Sequence, residues 1–188
     1  MIIRRHSHWM LWVFAAAFVF AAPLGAADLT FYVGGVVPGS VEYKGVDTML
    51  DSSPVYGFRL ATSFVPFFGM EHTLAFSSDY LFPSSVSAIK DAKGFAYNSN
   101  LIINIPLPVK AVVPYLTAGA GLIHQYGDND MPVGTKFAFN YGGGLKFPRL
   151  IGPLGLRFDV RGYRTTGIFS RSLNLFEASG GILLSIGK

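Results

Sequence analysis

The sequence predicts an all-β chain: eight antiparallel strands in up-and-down order, closing into a barrel, after a short N-terminal segment that is removed. Three observations carry this. Segments of strand length alternate with period 2 between an apolar face and a small, polar or charged one. No helical periodicity follows Ala27. The connections between the alternating segments alternate too, a short turn built on Pro or Gly at one end and a longer polar loop at the other.

The clearest stretch is 136–164. Phe137, Phe139, Tyr141, Leu145 and Phe147 share one face, against Lys136, Ala138, Asn140, Gly142, Gly144 and Lys146. After a break at 148–153, Leu154, Leu156, Phe158 and Val160 oppose Gly155, Arg157, Asp159, Arg161 and Tyr163. Side chains on a strand point to opposite faces in turn, so these are the sixth and seventh strands of a two-faced hairpin.

The other elements follow in order. The N-terminus joins a basic start, Arg4 and Arg5, to an apolar run over 9–22 and small residues up to Ala27. That is the layout of a secretory signal peptide, 1–27, followed by one domain over 28–188. Cleavage would leave 161 of the 188 residues and change the formal charge from +4 to about +2, because all 11 acids lie after Ala27. The basic balance is thus no argument for nucleic acid as a partner. The first strand, 28–36, carries Leu29, Phe31 and Val33 on one face, and a longer acidic connection follows over 37–53. The second, 54–65, sets Phe58, Leu60 and Phe64 against Arg59, Ala61 and Ser63. A tight break leads to the third, 70–81, with Glu71, Thr73, Ala75, Ser77 and Asp79 on its polar face. The fourth, 93–105, opposes Phe95, Tyr97, Leu101 and Ile103 to Asn98, Asn100, Ile102 and Asn104. A second tight turn at 106–110 precedes the fifth, 111–126, which opposes Leu116 and Leu122 to Tyr115 and Thr117. After a loop over 166–172, the eighth, 173–186, sets Phe176, Ala178 and Ile182 against Glu177, Ser179 and Gly181.

Alternation alone does not say which face is inside. A lipocalin-like carrier has the same period with its apolar face inward. Three features favour the apolar face outward, in lipid. Glycines and alanines gather on the polar face, where the narrow interior of an eight-strand barrel needs room for long side chains. Most apolar faces run four or five positions, the span of a tilted membrane strand. Aromatic residues, among them Phe64, Phe67, Phe68, Tyr80, Phe95 and Phe147, cluster near strand ends like an interfacial girdle. The chain is 51% hydrophobic and 14% charged and has no cysteine, so disulfides do not stabilise it.

The layout of signal peptide, eight strands, short turns and longer loops resembles the small outer-membrane barrels of the OmpA and OmpX type over essentially all of the chain after Ala27. Ser179-x-Gly181-x-x-Leu184-x-Ile186 is similar to the C-terminal signal that the barrel assembly machinery reads in that family, with Ile186 where the family usually ends on an aromatic residue. The resemblance implies export to the outer membrane of a Gram-negative-type bacterium, contact with outer-membrane lipid and lipopolysaccharide, a monomer, and a structural or loop-mediated recognition or adhesion role.

The residues with chemical potential are the inward charges Arg59, Glu71, Asp79, Lys146, Arg157, Asp159, Arg161 and Glu177. Buried charges must be paired, so these are expected to form an ion-pair network that plugs the barrel, with Arg161 roughly opposite Glu177. A narrow polar pore is the competing expectation. Enzyme activity is not expected: His72 and His124 fall on the outward set near strand ends, and neither has a serine beside it in sequence. Asp128 and Asp130 lack the rest of a calcium loop, and no cofactor or metal is expected. The glycine runs Gly119-Ala-Gly121 and Gly142-Gly-Gly144 lie inside strands, where a phosphate loop does not.

Overall fold

A computed structural model of the chain describes residues 27–39, 41–43, 46–48, 52–77, 93–109, 111–126, 134–168 and 171–187. The expected signal peptide, apart from Ala27, lies outside the described residues, as do Asp79, Asp128 and Asp130.

Eight strands form one closed antiparallel barrel: β1 (Ala27–Pro38), β4 (Ser53–Val65), β5 (Phe68–Ser77), β6 (Lys93–Asn104), β7 (Val113–Tyr126), β8 (Thr135–Ile151), β9 (Leu154–Ile168) and β10 (Arg171–Ile186). Each pairs with its neighbours in sequence, and β1 closes the ring on β10. The long connection after β1 is not wholly irregular. It holds a separate two-stranded sheet, β2 (Val41–Tyr43) with β3 (Val46–Thr48), too short to show as alternation in the sequence.

The stagger of the barrel can be read from its pairs. Thr30 meets Leu183 directly across the β1–β10 seam. Stepping the other way, from Thr30 through Arg59, Thr73, Asn98, Gly121, Ala138 and Thr165, arrives at Leu173, ten residues away on the same strand. With eight strands and ordinary strand dimensions, that shear sets a tilt of about 40°.

The faces divide as alternation requires. Phe31, Val33, Leu101, Leu116, Phe139, Tyr141, Phe158 and Ile182 are exposed on the outside. The inside holds Arg59, Glu71, Asn98, Asn100, Arg157, Arg161 and Glu177, all nearly or wholly inaccessible. The barrel interior is therefore its polar core. Toward the loop end it gives way to an apolar layer that includes Val36, Val55, Ile123 and Leu175.

The clearest departures from the expected strand ends lie on either side of β9. The expected break over 148–153 shrinks to a turn at Gly152 and Pro153, because β8 continues through Pro148. A register shift between Phe147 and Ile151 absorbs the missing Pro148 N–H, and Arg149 takes a positive φ of 56° there. The loop expected over 166–172 is also shorter, since β9 reaches Ile168 and β10 begins at Arg171.

Candidate functional site

Six interior charges, from β4, β5, β9 and β10, gather around one carboxylate. Arg157, Asp159 and Arg161 are alternate residues of β9, so all three point inward from one strand. Asp159 Oδ1 and Oδ2 accept a fork from Arg157 Nη2 and Nε, each at 3.0 Å. Arg161 Nη2 donates to Oδ1 at 2.9 Å, and Arg59 Nη1, from β4, donates to Oδ2 at 3.0 Å. The Tyr115 hydroxyl of β7 also donates to Asp159.

Two further carboxylates complete the cluster. Glu71, on β5, accepts from Arg161 Nη2 at 2.6 Å, and its other oxygen forms an ion pair with Arg157 Nη1 at 2.6 Å. Glu177, on β10, accepts from Arg59 Nη2 at 2.5 Å, from Tyr163 OH at 2.8 Å and from Ser179 Oγ at 2.9 Å. The guanidinium of Arg59 lies 3.6 Å from the centre of the Tyr32 ring, and that of Arg157 lies 4.6 Å from the Tyr115 ring. Three arginines thus meet three acids, each acid shared or capped by a hydroxyl.

Arg161 does lie opposite Glu177, as the strand count expects. Its guanidinium turns instead to Glu71 and Asp159, leaving Glu177 to Arg59. Register fixes which residues are neighbours on the wall. It does not fix which long side chains meet across the lumen.

Lys146 stands apart, nearer the short-turn end. Its Nζ lies 3.3 Å from Asp28 Oδ2, and Ser185 Oγ donates to Asp28 Oδ1 at 3.0 Å. Asp28 was missed as an inward charge in the sequence. The signal was present, since Leu29, Phe31 and Val33 point outward and Asp28 has the opposite parity. A mouth of about 400 Å³ opens beside this pair, between Ser63, Asn104 and Pro148. On the opposite side of the cluster the interior narrows to about 20 Å³, among Val36, Val55, Ile123 and Tyr163. That holds about one water.

A second polar set was legible only as alternation. Asn100 Nδ2 donates to Thr117 Oγ1 at 3.0 Å and to Asn140 Oδ1 at 2.5 Å, while Asn140 Nδ2 donates to Asn98 Oδ1 and Asn100 Oδ1, each at 3.1 Å. The chain here braces β6, β7 and β8 from inside without charge.

The two described histidines sit outside the lumen. His72 is mid-strand rather than near an end, buried beneath Tyr97, whose hydroxyl lies 2.9 Å from Nδ1. His124 is near the loop end, with Nδ1 2.7 Å from Thr135 Oγ1. Sequence adjacency offered His124 no serine or threonine hydroxyl. The β7–β8 pairing supplies one, placing Thr135 directly opposite His124. Among the described residues no cluster of three or more metal-ligating side chains occurs. Ser179 and Gly181 of the expected C-terminal signal point inward on β10, and Leu184 and Ile186 point outward.

No known family model matches the chain, and no curated protein matches it. Solved structures do. Neisserial surface protein A aligns with a TM-score of 0.64 at 14% identity, over 85% of this chain and 98% of that one. The fold is that of a small outer-membrane barrel. OprG of Pseudomonas aeruginosa gives 0.60 at 12% identity over 87% and 97%, and Ail, the attachment invasion locus protein of Yersinia pestis, gives 0.50 at 14% over 85% and 99%.

Proposed function

We propose that the chain is an integral outer-membrane barrel whose role is structural, or recognition and adhesion through its loops, and not catalysis or transport. One observation carries this reading: the outside of the barrel is apolar while its lumen is filled by mutually neutralising charges. A lipocalin-like carrier would need the reverse, an apolar cavity inside. The four buried inward cations, Arg59, Lys146, Arg157 and Arg161, equal in number the buried Asp28, Glu71, Asp159 and Glu177, so the filled part of the lumen carries no net charge to draw ions through. One of the similar barrels, Ail, is named for attachment and invasion, which fits a role for the loops. The chain would be exported, read by the assembly machinery through Ser179, Gly181, Leu184 and Ile186, and held as a monomer among phospholipid and lipopolysaccharide.

The test is cell fractionation followed by gel mobility with and without heating. Recovery in the outer membrane, with a band that shifts on boiling, is the expected result. Recovery as a soluble periplasmic protein with no shift would overturn it.

A second reading rests on the His124–Thr135 pair, an imidazole and a hydroxyl within hydrogen-bond reach at the loop-end rim, where a lipid ester could approach. Release of fatty acid from lipid A, lost in Thr135→Ala, would favour that reading over the first.

A further inference from the structure

The three short turns are unlike surface turns in water. Their apolar tips are residues 64–68 at the β4–β5 turn, 105–109 in the β6–β7 connection, and 150–154 at the β8–β9 turn. None of these fifteen residues has a polar side chain: they are Phe, Val, Ile, Leu, Pro and one Gly, with Lys110 directly after the second tip and Arg149 directly before the third. Their apolar side chains are not tucked away. Ile151 is 79% exposed and Val109 60%, and Phe64, Phe67, Phe68 and Leu150 are about half exposed. Three such tips at one end of a barrel, facing water, would form a large apolar patch.

We infer that these turns are sunk in the hydrocarbon of the leaflet at that end, so that the occupant of this surface is lipid acyl chain. The inference rests on the membrane reading above and goes beyond it, because turns of a spanning barrel ordinarily stand in water. Continuity is the first argument. On β9 the outward apolar run from Leu154 ends before Arg164, and at a tilt of about 40° the eight residue steps from Leu154 to Gly162 rise only about 20 Å. A barrel's apolar band is about 25 Å tall. The tips extend the band at the short end, broken by Lys110 and Arg149, whose long stems let the charge reach past apolar neighbours.

The backbone gives a second, independent argument. In hydrocarbon an unpaired N–H or C=O costs several kcal/mol, so an embedded turn must dispose of both. Four of the fifteen residues, Pro66, Pro106, Pro108 and Pro153, have no N–H to lose. Neighbouring strands take up carbonyls: Asn104 N–H donates to Phe67 O at 2.8 Å, and Ser185 N–H to Pro153 O at 3.0 Å. Ile105 N–H, within the second turn, donates to Pro114 O at 2.8 Å. The side chains agree in kind. Tyr and Trp, which suit an interface through their polar tips, are missing from all three turns, where Phe and branched aliphatics stand. The exposed Arg149 flanks the third turn, where a long cationic side chain can reach the phosphate layer.

The chain has no cysteine, so single-cysteine variants of the full chain report one position each. Leu107→Cys, Val109→Cys and Ile151→Cys, with Phe139→Cys as the lipid-facing reference, would be spin-labelled and reconstituted in vesicles of phosphatidylethanolamine and phosphatidylglycerol. Collision with oxygen and with a water-soluble nickel chelate is then measured, with the urea-unfolded variant as the water reference. The expected result is an oxygen-to-nickel ratio at the turns within about twofold of Phe139→Cys and at least about tenfold above the unfolded chain. Nickel access at the turns equal to the unfolded chain, with Phe139→Cys still shielded, would overturn the inference and leave the membrane reading standing. Nickel access at Phe139→Cys as well would overturn both. Shielding of the turns from both reagents would assign them to a protein contact and overturn the lipid assignment.

Discussion

Asp159 accepts hydrogen bonds from Arg59, Arg157, Arg161 and Tyr115, which puts it at the centre of the cluster. Removing one member of a buried pair leaves an uncompensated charge, at about 3–5 kcal/mol. Asp159→Asn is therefore expected to lower unfolding stability in detergent by at least that much, read as the urea midpoint of the heat-modifiable band. Glu177→Gln strips Arg59 of one of its two carboxylates and is expected to fall within the same range. An unchanged midpoint for Glu177→Gln would count against the pairing. The Asp28–Lys146 pair is looser, at 3.3 Å beside the open mouth, so Lys146→Met should cost less, about 1 kcal/mol, and Asp28→Asn in the same chain should recover part of it. The inward placement of these residues was legible as parity along each strand. Their choice of partner was not, because Arg59 reaches Glu177 only once β1 has brought β4 and β10 to either side of it.

At the scale of single elements the strand glycines are not alike. A Cβ on Gly144 would fall 2.0 Å from the Phe158 carbonyl oxygen and 2.6 Å from the Tyr115 hydroxyl, so β8 and β9 meet there only because that atom is missing. Gly144→Ala is expected to force the hairpin apart and disturb Tyr115 beneath Asp159, lowering the urea midpoint by the 1–3 kcal/mol typical of overpacking. Gly35, on the outer face of β1, would meet nothing within 4 Å, so Gly35→Ala should be neutral or stabilise by up to about 1 kcal/mol. A common outcome for the two would refute the close-approach argument. The sequence showed both as small residues in strands and could not separate them, because the approach of β9 to Gly144 depends on register. It likewise hid the continuation of β8 through Pro148, since a proline reads locally as a stop and only the bulge makes room for it.

For the whole molecule, tilt, neutrality and filling have one joint consequence for transport. The central cross-section is occupied by Arg59, Arg157, Arg161 and Tyr115, and the loop side narrows to about 20 Å³. In planar bilayers the protein is expected to show no steady single-channel conductance, and regular steps at neutral pH would return the narrow-pore reading. The direction of the barrel was legible from where the glycines and the phenylalanines fell. The apolar layer inside its loop end was not, because Val36, Val55 and Ile123 look like lipid-facing residues until the count of faces puts them within. The seam has a consequence of another kind. Ala27 stands directly opposite Ile186, so the ends of the barrel strands are neighbours in space. A linker of a few residues could join them, and the chain could be reopened in any polar loop, giving a circular permutant with the same pairs in a new order. Such a permutant should refold in detergent, since no native contact depends on which strand is made last. In the cell it would no longer finish on β10, and its failure to reach the outer membrane would separate the information for folding from the information for delivery.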